Sequence, residues 1–447
     1  MHISQLFLPE VTDAIERGDL QSLRAVFEDL HPSDVAELVH NLSSERVAAV
    51  IRLLRFPKGI DVFEQLDLQM QADVLKHLGR IETVNILEEL SPDDRVDLLQ
   101  KLPDQTIESL LPLMAQAERD EVKKLIRYGE NTAGALMTTE YAHLPAHIDV
   151  SEALDLLRKG APDTETIYYI YITDSERRLI GALSLRELVL ARPTEKIENI
   201  MSKDPISVPV DMDQEEVVQK FGKYDFIAIP VVDRDQRLVG IVTHDDAFDV
   251  AVEEQTEDVQ QLGAVVPLDE PYFQASFWKL AQKRGLWLML LFVGEFFTGT
   301  ALRHYHETLE NAFTLIYFVP LIVSSGGNAG SQSVTLITRA LAVGDVKMRD
   351  FIRVLRREAG MGIVLGVFLG VIGFVRAMMW DSGYNISLSI GVALVGVVLT
   401  GSLVGSLLPI IFKKMGFDPA IMSSPFVASL LDGIGIVIYF NVAMRLL

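Results

Sequence analysis

The sequence predicts a multidomain fold. An all-α superhelical N-terminal domain is followed by an α/β tandem repeat, a long acidic linker helix and a five-span α-helical transmembrane domain. Three observations predict it. The formal charge of −22 divides into +5 over residues 273–447 and −27 over residues 1–272. Apolar runs of membrane-spanning length cluster in the positive part, and a sequence motif recurs 64 residues apart in the acidic part. The division falls into an acidic helical domain (1–128), a tandem repeat (129–250), an acidic linker helix (245–272) and a membrane domain (273–447).

Residues 6–125 read as short amphipathic helices broken at Pro32, Pro57, Pro92 and Pro103. Ser91-Pro92-Asp93-Asp94 has the form of an N-cap with an acidic first turn. Carboxylates in such excess oppose nucleic-acid binding, which needs Lys and Arg against phosphate. They also oppose compaction unless cations neutralise them. The chain has no cysteine, so disulfides and thiolate chemistry are excluded. The opening Met1-His2-Ile3-Ser4-Gln5 shows no basic stretch leading into an apolar one, so no signal peptide is expected and the acidic half is expected in the cytoplasm.

In the repeat, Leu136-Met137-Thr138-Thr139-Glu140 is echoed by Ile200-Met201-Ser202-Lys203-Asp204. Strands over 168–173 and 179–184 match strands over 227–233 and 238–243, giving a helix-strand-strand-helix unit twice. The units resemble tandem CBS modules, of which Ala228-Ile229-Pro230-Val231-Val232-Asp233 and Gly240-Ile241-Val242-Thr243 are typical. In that family a Thr followed three residues on by Asp contacts the ribose of a nucleotide. Thr243 and Asp246 match this pattern, while the first unit offers Ser184 and Glu187. The resemblance implies a nucleotide site, with ATP as ligand, at Thr243 and Asp246; the alternative is a pair that only transmits shape changes and dimerises.

From Asp245 the chain has helical periodicity, and Asp246, Asp249, Glu253 and Glu257 share one face. No Lys relieves their repulsion between Lys223 and Lys279. Carboxylate oxygens in such a row suit Mg2+ or Ca2+.

Five spans are expected over 286–302, 312–335, 359–380, 387–412 and 420–444. In the second, Pro320 and Ser324-Ser325-Gly326-Gly327-Asn328-Ala329-Gly330 are expected to interrupt the helix. Arg339, Lys347, Arg349, Arg353, Arg356, Arg357, Lys413 and Lys414 lie in loops that five spans place on the N-terminal, cytoplasmic side. Gly362, Gly366 and Gly370 in span three and Gly401 and Gly405 in span four predict close helix packing. Asp432 is the sole charge between Asp418 and Arg445 and sits mid-span, where an ionised carboxylate costs about 2.5–3.5 kcal/mol or more. Ser424 and Ala428 share its helix face, leaving room for a hydrated ion. Asp418 is expected near the cytoplasmic mouth, or simply as a helix cap. Glu295 is a second intramembrane acid, with a pairing role as the other option.

The order of these parts resembles the MgtE-type magnesium channels over the full chain. Its most specific segments are Pro320-Leu321-Ile322 through Ser333 and Asp418-Pro419-Ala420 through Asp432, with Thr256-Glu257-Asp258 in support. The resemblance implies a homodimer in the bacterial inner membrane with a pore on the two-fold axis, where paired Asp432 side chains bind hydrated Mg2+ beside Ser424, Ala428 and Asp418. It implies regulatory Mg2+ at Asp93, Asp94, Glu215, Asp225, Asp246, Asp249, Glu254, Glu257 and Asp258. Ser424 departs from relatives that carry an amide there. The rival function is an ion-coupled carrier, such as a Na+–Mg2+ exchanger. An enzyme is not expected: the spans hold no His, and neither His-Glu-x-x-His nor a phosphate loop is present.

Overall fold

The computed structural model describes residues 13–14, 17, 20–40, 42–54, 56–160, 164–268, 272–273, 275–306 and 312–447. The chain forms two compact units, 1–251 and 252–447.

The first unit opens with the expected helical stack: α1 (Leu20–Asp29), α2 (Pro32–Val39), α3 (Ser44–Leu53), α4 (Lys58–Glu64), α5 (Leu68–Leu75), α6 (Arg80–Glu89), α7 (Pro92–Gln100), α8 (Asp104–Leu110) and α9 (Gln116–Leu125). Their short length follows from local stops and starts. Pro32 and Pro92 occupy first-turn positions of α2 and α7, where a missing N–H costs nothing. Asp67 caps α5 by accepting from Met70 N at 2.8 Å. Phe27, Val35, Leu38, Phe63, Leu87 and Leu98 are buried between the layers.

The repeat adds α10 (Ala133–Leu136), β1 (Tyr141–Pro145), α11 (Val150–Gly160), β2 (Thr166–Thr173), β3 (Leu179–Ser184), α12 (Leu185–Leu190), α13 (Ile197–Ile200), β4 (Ser202–Lys203), β5 (Val208–Pro209), α14 (Gln214–Tyr224), β6 (Ala228–Val232) and β7 (Leu238–Thr243). The sheets are ordered β1-β2-β3-β4 and β5-β6-β7. Each unit thus holds a leading strand, parallel to its neighbour, which the helix-strand-strand-helix reading lacked. The second of these is two residues long, too short to show alternation. The echoed motifs exchange partners. Thr138 pairs with Ile241 of β7, and Ser202 pairs with Ala182 of β3. A Cβ on Gly240 would lie 2.6 Å from Met137 Sδ, and one on Gly181 would lie 2.5 Å from Met201 Sδ. Each methionine therefore closes the other unit's sheet, and the core runs on from the helical stack into the second sheet through Met137, Val208 and Val217.

α15 (His244–Leu262) carries the acidic linker. The helix expected to 272 stops at 262, where Val265 N reaches back to Gln260 O at 3.0 Å and Ala264 takes φ 56°. The second unit continues with α16 (Phe277–His304), α17 (Val319–Ala342), α18 (Phe351–Met379), α19 (Tyr384–Lys414) and α20 (Ser424–Leu446). Together with the 3-10 turns that precede α17 and α18, these are five helices long and apolar enough to cross a membrane. Two begin earlier than hydropathy indicated, because Lys279, Lys283 and Arg284 or Arg353, Arg356 and Arg357 lower hydropathy without breaking a helix. The second span is also corrected. Pro320 lies in the first turn of α17, and the Gly326–Gly330 stretch (residues 326–330) is continuous helix. Its glycines serve contact instead of irregular backbone.

A Cβ on Gly405 would stand 2.3 Å from Gly330 O, and one on Gly366 2.9 Å from Val395 Cα. Both obstacles are backbone. Gly405→Ala is expected to cost at least about 3 kcal/mol, the upper range for overpacking. Thermal gel-filtration of the detergent-solubilised protein should show an early loss of the monodisperse peak. Gly360→Ala, with open space around its Cβ, should leave the profile unchanged.

Candidate functional site

In the membrane unit, Ser423 caps α20 by accepting from Phe426 N at 3.3 Å, which sets the helix start one residue before Ser424. Ser424, Ala428 and Asp432 then follow at four-residue steps, all partly accessible. α17 runs against this row with no side chain between: a Cβ on Gly327 would lie 3.3 Å from Ala428 Cβ and 3.8 Å from Asp432 Oδ1. Beside the glycine, α17 offers hydroxyls and an amide. Ser331 Oγ donates to Ser424 O and Thr335 Oγ1 meets Ser424 Oγ, both at 3.3 Å, while Asn328 Nδ2 donates to Ser324 Oγ at 3.3 Å. A polar strip thus lies alongside two otherwise apolar helices. Glu295 of α16 is a hydrogen-bonding neighbour of Asp432, so the two intramembrane acids read separately from the sequence belong to one group.

A further acid, Glu358, fell outside the expected third span and lies within α18, where its Oε2 accepts from Ser333 Oγ at 2.8 Å. Ser333 is buried, so this contact ties α17 to α18.

Asp418 caps the turn before α20 by accepting from Ala420 N at 2.8 Å, the capping role the sequence allowed. It also faces Asp258 of α15. Burial first, and then the Asp418 and Glu257 carboxylates, raise the Asp258 carboxyl above its ordinary range against the pull of Arg339. Glu257 accepts from Gln261 Nε2 at 2.6 Å, and Glu254 is half-buried one turn before.

The first unit holds a second acidic group. Asp93 and Asp94 in the opening turn of α7 face Asp245, Asp246 and Asp249 in the opening turns of α15. Burial, with Asp246 and Asp94 adding to it, pushes Asp93 well above the usual carboxylate range. Burial raises Asp246 to about 6, against the hydroxyl that Thr243 donates to it. Two further acids belong here that sequence reading passed over. Glu64 ends α4 and Glu165 precedes β2; burial and the surrounding carboxylates push both up to about 7. Neither shares a helix face with the others, so only the folded chain brings them in. Ser91 is a hydrogen-bond neighbour of both Asp93 and Asp94, yet the buried Asp93 Oδ1 has no hydrogen-bond partner. A buried orphan acceptor surrounded by carboxylates fits a hydrated divalent cation. Among the described residues no three acidic or histidine side chains converge closely enough to ligate an ion directly.

Glu215 and Asp225 lie at opposite ends of α14, both exposed; Glu215 accepts from Gln219 Nε2 at 3.3 Å and Asp225 caps the helix at φ 52°. Neither is among the carboxylates that raise Asp93, Asp94 or Asp246. Thr243 is buried and engaged with Asp246, inside the acidic group. A cavity of about 300 Å³ lies instead at the first unit's motif, lined by Tyr169, Ser184, Glu187, Lys203 and Phe226 among others. Ser184 Oγ donates to Glu187 Oε2 at 2.7 Å, which fixes the carboxylate at the cavity wall.

Comparison with known proteins agrees with this architecture. Residues 319–442 match the MgtE family described as a divalent cation transporter, residues 30–131 the MgtE intracellular N domain, and residues 133–193 and 197–253 the CBS domain. The magnesium transporter MgtE of Thermus thermophilus is 41% identical over 438 residues, covering 97% of each chain. That of Bacillus subtilis is 30% identical over 426 residues, covering 95% of this chain and 94% of the relative. The cytosolic domain of the Mg2+ channel MgtE in complex with ATP superposes with a TM-score of 0.52 at 43% identity, covering 54% of this chain and 99% of that one. The chain therefore belongs to the MgtE family of magnesium transporters.

Proposed function

We propose that this protein is a Mg2+-selective channel of the bacterial inner membrane, closed by cytoplasmic Mg2+. The observation that carries the conduction reading is Asp432, a carboxylate at mid-span on a row of small residues, backed by Gly327 and neighboured by Glu295. Mg2+ sheds water reluctantly, so a wide, small-residue row ending in a carboxylate suits the hydrated ion. In the proposed homodimer two such rows face each other across the axis, with Asp418 and Asp258 at the cytoplasmic mouth.

Gating rests on the acidic group around Asp93. Bound Mg2+ holds α7 against α15; without it, repulsion parts them, and the ion shifts the balance by its preference for the compact state. Glu215 and Asp225 on α14, and Glu254 and Glu257 on α15, serve as further regulatory positions, each outside the group around Asp93. The division into residues 1–128, 129–250, 245–272 and 273–447 assigns sensing to the first three parts and conduction to the last. The basic loops 339–357 and 413–414 favour a cytoplasmic N-terminus. ATP binding belongs at the Ser184–Glu187 cavity, where Tyr169 and Phe226 offer aromatic faces and Lys203 a cation. Thr243 and Asp246 are less suited, since a polyphosphate would meet Asp93, Asp94 and Glu165 there.

Purified protein in liposomes is expected to pass Mg2+ down its gradient with Na+ absent from both sides. Flux that vanished without a Na+ gradient would make the chain an exchanger.

A further inference from the structure

Arg95 is the largest fully buried side chain of the described residues, 1% exposed, and stands next to Asp93 and Asp94 on α7. Its Nε donates to Leu87 O at 2.5 Å, and its Nη2 donates to Leu90 O at 2.8 Å and Glu88 O at 3.3 Å, filling acceptors at the C-terminal end of α6. Its Nη1 pairs with Glu118 and Glu121 of α9. Glu121 in turn accepts the hydroxyl of Thr139. Thr139 is held in place by its neighbour: Thr138 N donates to Ile241 O and Ile241 N to Thr138 O, each at 2.9 Å. Ile241 lies on β7, which leads directly into the opening turns of α15 with Asp245, Asp246 and Asp249.

The contacts close a mechanical circuit. It leaves α7 at Arg95, crosses to α9 through Glu121, passes to the repeat through Thr139, follows β7 and arrives at α15. The two acidic rows of the first unit are the ends of this circuit. We propose that the Arg95–Glu121–Thr139 chain is a metal-independent latch that sets the gap between those rows and hence the Mg2+ concentration at which they close. Arg95 and Glu121 are positioning residues that touch no ion. The proposal rests on the acidic group being the Mg2+ sensor.

Removing Arg95 would strand two carboxylates and three carbonyls, so its loss would unfold the domain rather than test the latch. Thr139 is the link to cut. Thr139→Val keeps the shape and leaves Arg95 and both glutamates paired. Thr139 carries no charge, so the substitution leaves the set of candidate ligands intact. The measurement is tryptic cleavage at Lys123, Lys124 and Arg127 of the full chain in nanodiscs, titrated with free Mg2+. The wild type is expected to become protected at a defined midpoint. Thr139→Val should raise that midpoint roughly fivefold or more, in keeping with the loss of a hydrogen bond to a charged acceptor. Thr139→Ser should restore it, and the melting temperature at saturating Mg2+ should stay near the wild-type value. A Thr139→Val midpoint equal to the wild type's would overturn the latch while leaving the sensor standing. Equal destabilisation with and without Mg2+ would reduce the contact to general stability and also overturn it. A wild type with no Mg2+-dependent protection would remove the sensor and the latch together.

Discussion

Asp432→Ala is expected to lower Mg2+ flux into liposomes by at least about tenfold, and Asp432→Asn by nearly as much. The second substitution separates charge from shape, because Asn keeps the size and a carbonyl oxygen at the same place. Two unit charges 4 Å apart at an effective dielectric of ~20 attract by about 4 kcal/mol. A divalent ion held through one water layer is farther away but doubly charged, so a comparable attraction is lost. Tenfold in rate needs only about 1.4 kcal/mol of it. Glu295 does not substitute for the missing charge, since it hydrogen-bonds Asp432 from α16 while the Ser424–Ala428–Asp432 row lies on α20. The measurement is fluorescence from a Mg2+ dye inside proteoliposomes, with reconstituted protein matched by gel. Asp432→Asn flux equal to the wild type's would reject the carboxylate as the ion's contact.

Asp432 was legible because a charge in an otherwise apolar run is conspicuous at any register, and the glycine repeats of spans three and four were legible because close packing requires them. Other features depended on the third dimension. Glu295 and Asp432 are far apart in sequence and meet only when α16 packs on α20. Glu358 was hidden by its neighbours Arg356 and Arg357, which moved the apparent span boundary past it. The glycine stretch of α17 read as an interruption because propensity disfavours glycine in helices, whereas tight contact with α19 and α20 selects it. In the cytosolic half, Asp246 and Asp249 of α15 were visible as part of a helical stripe with Glu253 and Glu257. Glu64 and Glu165 carry no such pattern, and their part in the group follows from where α4 and β2 are packed. The ribose motif matched at Thr243 and Asp246 by residue type, but burial and the acids around it give that pair a different setting, which no local pattern reports.

Replacing both Asp93 and Asp246 by Asn is expected to favour the compact cytosolic half without Mg2+ and to weaken its response to the ion at least about tenfold. Single substitutions should shift the response by a smaller factor. The reason lies in the charge balance of the compact state. Glu64 and Glu165 sit at about 7 and Asp246 at about 6, above the ordinary 4.5 and 3.8, because burial and mutual repulsion disfavour their ionised forms. A compact state with raised carboxyl pKa values binds more protons than the parted state, so its stability falls as pH rises. The contribution is complete below about pH 4, where both states are protonated, and is lost as pH passes through 6 to 7. In Mg2+-free buffer the wild type should therefore be protected from trypsin at pH 5 and open by pH 8. Saturating Mg2+ should abolish this dependence, because the cation supplies the positive charge that protons supply at low pH. The double Asn variant should be cleaved more slowly than the ion-free wild type at pH 8 with or without Mg2+, since it has lost the repulsion of two central carboxylates, while Glu64 and Glu165 keep a residual pH dependence. Were it instead cleaved as readily at pH 8 as the ion-free wild type, repulsion across α7 and α15 would not be what opens the sensor, and the closing force would have to come from ion bridging alone.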